Sequence, residues 1–255
     1  YEIGSGLVGS EMCIRDRHGC IPMDEKGKLK SYYNGKEKLK GKELLDYIDK
    51  LARQAYFGDI ESEERNYGKD FLWYLWCGEN SPIFCKDAMK TFERYFIDDK
   101  ELQKENKNPF YIFAQKEEVC DQIFKEFGID PEKGHIICGH IPVKFKSGES
   151  PIKANGKLLI IDGGLSKSYQ KTTGIAGYTL IYNSYGLMLA EHEPFTSTND
   201  AIVKETDLHS SKVIVEKVER KKIKDTDIGL ELQEQIDNLK RLLQAYKKGI
   251  IKIKK

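Results

Sequence analysis

The chain has 255 residues, of which 39% are hydrophobic and 33% are charged, so it can bury a sizeable core and is globular, not disordered. Its 42 basic residues balance 41 acidic ones, and the formal net charge of +1 gives no net field that attracts nucleic acid or an acidic membrane. No apolar run approaches the roughly 20 residues of a membrane span, and no signal peptide pattern opens the chain. We expect a soluble, cytoplasmic protein that binds neither nucleic acid nor membrane.

The six cysteines are scattered and contain no Cys-x-x-Cys pair. This distribution indicates reduced thiols in a cytosolic protein and disfavours both a disulfide framework and a structural zinc site. Cys20 and Cys138 lie close in sequence to two histidines of interest, His18 and His140, so a soft-metal site built from them is an alternative. The cysteines are Cys13, Cys20, Cys77, Cys85, Cys120 and Cys138.

Residues 1–17, YEIGSGLVGSEMCIRDR, show no clear hydrophobic period and resemble a translated sequencing adapter more than a protein element. We interpret this stretch as non-native sequence and exclude it from the fold prediction. On this interpretation the natural chain was cut just before His18, at the exit of a strand whose body is missing.

Helical spacing of apolar residues predicts helices over residues 38–57, 61–76 and 116–127, and a short amphipathic segment over residues 86–96. Gly58 and Gly128 follow the first and third of these helices, where glycine commonly ends a helix. The second helix carries a heavy aromatic face, which is more typical of a core than of a cofactor site. Together these segments make residues 38–128 a mainly helical insertion.

Strands dominate the second half of the chain. Short apolar runs predict strands over residues 134–138, 156–162, 177–183, 186–191 and 213–218, and Asn183 to Gly186 fits a hairpin connection. An amphipathic helix over residues 230–246 and a solvated basic tail follow. We predict the α/β class, with a main domain over residues 18–220 and a C-terminal helix and tail over residues 221–255.

Two histidines stand beside glycine at the carboxyl ends of predicted strands, in Gly139-His140 and His18-Gly19. Open α/β sheets bind ligands at this edge. A neutral imidazole is a favoured ligand of transition metals, and glycine lets the backbone approach an ion closely. The pattern indicates that His18 and His140 bind metal, and a structural histidine in a turn is the alternative for either one alone.

Several cations are candidates for phosphate binding. Arg94 lies among aromatic residues, where an arginine either pairs with a carboxylate or clamps a phosphate. The glycine-bounded stretch of residues 162–174 carries Lys167, Lys171 and five hydroxyl residues, and we predict a loop that cradles an oxyanion. An exposed polar loop is the alternative. Lys144 and Lys153 flank the same edge and add positive charge.

Longer motifs carry a family resemblance. The runs GHIICGHIPVK, GESPIKANGKLLIIDGG, SKSYQKTTGIAGYTLIYNS and EHEPF, in this order between residues 134 and 195, resemble the carboxyl-terminal part of the class III fructose-1,6-bisphosphatases of Firmicutes. HGCIP at residue 18, and FLWYLWCG, SPIF and TFERYFI between residues 71 and 97, resemble the same family. The resemblance covers roughly residues 18–255.

This family is similar in turn to the calcineurin-like metallophosphoesterases, which hold two metal ions at the strand ends of an αββα sandwich. The resemblance implies that His18 and His140 are metal ligands, that Arg94 contacts phosphate, and that Mn²⁺ is the cofactor. It also implies that two metals activate water to hydrolyse fructose 1,6-bisphosphate to fructose 6-phosphate, a gluconeogenic step. The partner is then a small sugar bisphosphate, and homo-oligomer formation stays open.

The chain departs from the family because it lacks the upstream Asp-x-His, Gly-Asp-x-x-Asp-x-Gly and Gly-Asn-His motifs. The bridging aspartate, the asparagine ligand and the general acid belong to those motifs, so we assign no catalytic residue in this chain. We expect an incomplete sandwich that lacks its N-terminal half and is inactive alone. Another metallophosphoesterase of the protein phosphatase type, or a non-catalytic assembly or regulatory role, is the alternative.

Overall fold

The structure is a computed structural model, and it describes residues 14–17, 19–164, 166–175, 177–193, 197–203, 210–217 and 222–251. The strands are β1 (Ile14–Arg17), β2 (Tyr32–Tyr33), β3 (Lys38–Leu39), β4 (His135–Cys138), β5 (Ile152–Lys153), β6 (Leu158–Ile160), β7 (Gly177–Asn183), β8 (Gly186–His192) and β9 (Ser210–Lys217). The helices are α1 (Gly41–Phe57), α2 (Glu63–Cys77), α3 (Thr91–Phe96), α4 (Phe110–Phe113), α5 (Glu117–Phe127), α6 (Lys167–Thr173), α7 (Thr198–Val203) and α8 (Asp227–Lys247).

A four-stranded sheet with the order β1-β4-β6-β5 organises the fold. Strands β1, β4 and β6 run parallel, and β5 joins the edge in the antiparallel direction. All four residues of β4 are buried, because both faces of a mainly parallel sheet are covered. The predicted central strand is confirmed.

Strand β1 lies within the stretch that we predict to be non-native. Its four residues pair with β4 from Ile14 opposite His135 to Arg17 opposite Cys138. A strand thus ends directly before position 18, although the pairing does not test the origin of its sequence. Residues 1–13 and His18 lie outside the described residues.

Helices α1 and α2 confirm two predicted helices and pack face to face. Gly68 of α2 permits their close approach, because a Cβ atom there would lie 2.8 Å from the carbonyl oxygen of Leu51 in α1. Helix α1 begins at Gly41, later than predicted, because Lys38–Leu39 pair with Tyr32–Tyr33 instead. The two helices contribute these side chains to one buried cluster: Leu44, Ile48, Leu51, Phe71 and Leu75.

Helix α5 covers the central sheet and confirms the third predicted helix. Its residues Ile123 and Phe124 are buried in one cluster with Ile136 of β4 and Leu158 of β6. The helix ends at Gly128, which adopts φ +69° in the left-handed region, where glycine carries no steric cost. The principal core therefore lies directly beneath the strands that end at the candidate site.

A second sheet is antiparallel with the order β7-β8-β9. Asn183 pairs with Gly186, so two residues connect β7 and β8, as the hairpin prediction requires. The prediction of a loop over residues 162–174 is wrong in part, because Lys167–Thr173 form α6. This helix contains a single aromatic residue, Tyr169, and no aliphatic residue, so its sequence shows no apolar period.

The fold is mixed α/β, which confirms the predicted class. The long C-terminal helix α8 is confirmed as well, and it packs against the 3-10 turn Ile223–Asp225. Within the described ranges, no helix combines the length and apolar character that a bilayer crossing requires. The sandwich architecture and the domain boundaries stay predictions.

Candidate active site

The carboxyl ends of three parallel strands meet at one edge of the central sheet. Arg17, the last residue of β1, pairs with Cys138, the last residue of β4. Cys138 pairs in turn with Ile160, the last residue of β6. The segments that follow these strands therefore begin side by side, which is where open α/β sheets place their ligands.

His140 occupies a strained turn at this edge. Its φ is +72°, and the N–H of Ile141 donates to the carbonyl of Gly139 over 2.9 Å. This pairing is a γ-turn of the rare kind with positive φ. The N–H of Val143 donates to the carbonyl of Asp162 over 2.8 Å and ties the segment to the exit of β6. Such strain persists where the surrounding structure holds it, and it clusters at functional sites.

The half-buried His140 lines a cavity of about 320 Å³, called the His140 cavity below. Its volume is within the range of small-molecule sites. Two of its walls come from segments far apart in sequence, residues 84–86 and Tyr169 of α6. The lining residues are Phe84, Cys85, Lys86, Lys107, His140, Ile141, Pro142 and Tyr169.

Lys86 and Lys107 form a pair on the wall of the His140 cavity. They are opposite each other in an antiparallel bridge, flanked by bonds from the Asn108 N–H to the Cys85 carbonyl (2.8 Å) and from the Asp87 N–H to the Asn106 carbonyl (3.0 Å). Opposite residues of such a pair project their side chains from the same face. Both lysines therefore bring positive charge to this wall of the cavity.

Glu105 neutralises one member of this lysine pair. Its side chain is only 6% exposed, and its Oε2 lies 2.6 Å from Lys86 Nζ and 3.1 Å from Arg94 Nη2. Its Oε1 accepts the backbone N–H of Lys90 over 2.9 Å. Burial opposes ionisation of Glu105, but the bonds from Lys86 and Lys90 and the charge of Arg94 outweigh burial and lower its pKa. Lys107 makes no ion pair within the part of the chain that the structure describes.

Arg94 is therefore ion-paired, which was one of its two predicted roles. Its side chain is 52% exposed. Arg94 is not among the described residues that line the His140 cavity or the second cavity beside it, which is described next. Arg94 pairs with the carboxylate of Glu105, and the same carboxylate pairs with Lys86. Sequence reasoning missed Lys86 and Lys107, because only the pairing of two segments about 20 residues apart brings them to the cavity.

Lys144 lines a neighbouring cavity of about 270 Å³, which shares Lys107, Ile141 and Pro142 with the His140 cavity. The backbone N–H of Lys144 donates to Glu149 Oε2 over 2.9 Å, and Lys153 Nζ lies 3.1 Å from Glu149 Oε1. Burial raises the pKa of Glu149, but these two donors and the charges of Lys153 and Lys107 outweigh burial and lower it. Lys153 is thus ion-paired with Glu149.

The two lysines of α6 differ in how far the structure describes them. The side chain of Lys167 lies outside the described residues. Lys171 is exposed, and its carbonyl accepts a bond from Lys146 Nζ over 2.7 Å. Tyr169 of the same helix reaches the His140 cavity, so α6 forms one side of the candidate site.

Metal ligands do not converge within the described residues. No group of three or more histidine, cysteine, aspartate or glutamate side chains there is arranged to hold a metal ion. Cys20 and Cys138 are reduced cysteines buried in the principal core. The described residues therefore do not fit a complete metal centre by themselves.

Comparisons with known proteins point to one family. The chain matches the family described as Firmicute fructose-1,6-bisphosphatase over residues 16–248. It is 59% identical over 236 residues to a fructose-1,6-bisphosphatase class 3 of Clostridium botulinum (strain Hall). It is 58% identical over 235 residues to a protein of the same name from Clostridium tetani (strain Massachusetts).

These alignments cover 92% of this chain but only 35% of the Clostridium botulinum relative and 36% of the Clostridium tetani relative. The chain thus spans about a third of the length of these curated relatives. No solved structure matches the chain.

Proposed function

Because the chain belongs to the Firmicute fructose-1,6-bisphosphatase family, we propose that the intact protein hydrolyses the 1-phosphate of fructose 1,6-bisphosphate. The products are fructose 6-phosphate and phosphate, and the reaction is a gluconeogenic step in the cytoplasm. The observation that carries this proposal is the match over residues 16–248, at 59% identity to a relative of that name. The protein phosphatase alternative has no comparable support.

The His140 cavity supports a role in binding a phosphorylated sugar. Its volume of about 320 Å³ suits a small ligand, and its wall carries the Lys86 and Lys107 pair. We propose Lys107 as the principal phosphate contact of this wall, because Lys86 is ion-paired with Glu105, whereas Lys107 feels Glu149 only as a neighbouring charge. A bound phosphate would gain a charge-assisted hydrogen bond from Lys107.

Other cations take supporting positions in this proposal. Lys167 and Lys171 belong to the helix that supplies Tyr169, and Lys144 lines the neighbouring cavity. We propose these three as further phosphate contacts. Arg94 acts through Glu105, which it holds at 3.1 Å, and so it fixes Lys86 without lining the cavity.

The family implies a divalent metal requirement, and we propose Mn²⁺ with His18 and His140 among its ligands. Since the described residues do not complete a metal centre, the remaining ligands belong to the two thirds of the relatives that this chain does not match. The complete sandwich fold is proposed on the same basis. The residues of this chain bind and orient the sugar phosphate beside that centre.

The test measures phosphate release from fructose 1,6-bisphosphate with added Mn²⁺ in three proteins. These are this chain, residues 18–255 joined to the upstream part of the Clostridium tetani relative, and the joined protein with His140→Ala. Only the joined wild type should be active. The substitution should reduce its rate more than the 10–100-fold typical of losing an outer-sphere partner.

A phosphopeptide serves as the competing substrate in the same assay. Hydrolysis of the phosphopeptide in preference to the sugar bisphosphate would favour the protein phosphatase alternative. A joined protein that folds but releases no phosphate from either substrate would contradict the proposed function. A strong rate from this chain alone would contradict the requirement for upstream residues.

A further inference from the structure

Helix α8 presents an apolar stripe that the described part of the fold leaves uncovered. It packs against the 3-10 turn Ile223–Asp225, and its apolar side chains remain between 41% and 64% exposed. A helix of 21 residues is about 30 Å long, and a stripe of this length marks an interaction site. The stripe consists of Leu232, Ile236, Leu239, Leu243 and Tyr246.

The spacing of the stripe residues along the sequence indicates the way in which a second helix would pack against them. Successive members are separated by four, three, four and three residues, which is the 3.5-residue period of a left-handed coiled coil. A helix that covers a globular core commonly shows a wider stripe with a period of 3.6 residues. Ile236 and Leu243 occupy a positions, and Leu232, Leu239 and Tyr246 occupy d positions. Ile236 at a, with Leu232 and Leu239 at d, is the combination that favours two parallel strands.

Charges beside the stripe are compatible with a second copy of the same helix. In a parallel pair, Gln235 of one helix faces Lys240 of the other, and Leu242 faces Lys247. Neither contact opposes two like charges. The stripe itself carries no charge, so the helix is self-complementary.

The size of the stripe also suits a symmetric pair. With Leu242 beside it, six apolar side chains are each about half exposed, and two such surfaces together offer on the order of 1,000 Å², the lower limit of a specific interface. We propose that α8 is a dimerisation element that forms a parallel two-stranded coiled coil with α8 of a second copy. The dimer is weak, because the seam extends over little more than two heptads.

The experiment uses the full 255-residue chain in sedimentation velocity between about 1 and 100 µM. The mass of the wild type should rise from 29.3 kDa toward twice that value with increasing concentration. Leu239→Glu places two carboxylates in the seam and should raise the dissociation constant at least about 100-fold. Gln244→Glu adds the same charge at a b position outside the seam, and it should leave the dissociation constant within about twofold.

Circular dichroism of each variant verifies that the fold is retained, and Leu239→Ala replaces Leu239→Glu if the glutamate variant unfolds. Leu232→Cys tests the orientation, since only a parallel pair in register brings both residues 232 together for disulfide formation under mild oxidation. A wild type that remains monomeric at 100 µM would overturn the proposal. Equal effects of Leu239→Glu and Gln244→Glu, or binding of a monomer to anionic vesicles through α8, would also overturn it.

Discussion

Glu105 provides a quantitative test of the charge arrangement beside the His140 cavity. Glu105→Gln preserves the shape of the side chain and an acceptor for the Lys90 N–H, but it turns an amide toward Lys86 and Arg94. Hydrogen bonds to charged groups contribute about 1.5–3 kcal/mol each. The two cations are 34% and 52% exposed, so water replaces part of each loss. We expect the variant to lose about 2 kcal/mol of unfolding free energy at pH 7.

The pH dependence follows from the lowered pKa of Glu105. A carboxylate whose pKa is lower in the folded state stabilises the fold above its unfolded pKa, near 4.5, and loses this contribution as the pH falls through the folded value. Glutamine does not titrate. The difference between wild type and Glu105→Gln should therefore be largest at pH 7 and shrink as the pH falls below about 4.5.

Urea unfolding at several pH values measures this difference, with Glu101→Gln as the matched control. Glu101 is exposed, so its substitution should change the unfolding free energy by less than about 0.5 kcal/mol. A loss at Glu105 no larger than at Glu101 would refute the reasoning. A loss that stays constant from pH 7 to pH 4 would refute the role of the ionised carboxylate.

Two further predictions concern the cavity wall. His140→Gly and His140→Ala both remove the imidazole, but only glycine tolerates φ +72° without strain. Urea unfolding should therefore show that the glycine variant is more stable than the alanine variant by about 1 kcal/mol. Equal stabilities of the two variants would contradict the strained turn. In the joined active protein, Lys107→Gln should reduce kcat/KM for fructose 1,6-bisphosphate about 10–100-fold through loss of a charge-assisted contact. The exposed Lys104→Gln should leave kcat/KM nearly unchanged, and a similar effect of both substitutions would exclude a specific contact.

The sequence predicted those features that depend on local patterns. The buried strand β4 was predicted because four apolar or weakly polar residues in a row are followed by glycine and histidine. Helices α1, α2 and α5 were predicted because their apolar residues recur with a helical period. His140 was identified as a candidate because its type and its position at a strand end both agree with ligand binding.

Features that depend on pairing between distant segments could not be predicted. Lys86 and Lys107 face the same cavity only because backbone bonds join their two segments, and neither lysine belongs to a recognisable motif. Arg94 had several carboxylates within reach in sequence, and only the fold selects Glu105. Helix α6 was missed because its one aromatic residue gives no period, while its left-handed ending at Gly174 is compatible with a loop as well.

Residues 85–87 pair with residues 106–108, so the chain between them forms a closed loop whose two ends lie side by side. Bonds between Asp87 and Asn106 close its base. Because the entropic cost of closing a loop rises only slowly with its length, the exposed tip at residues 98–100 is free to lengthen while the base stays closed. An insertion at the tip should therefore leave Lys86 and Lys107 in place at the base of the loop. The tip is thus a suitable position for a reporter group.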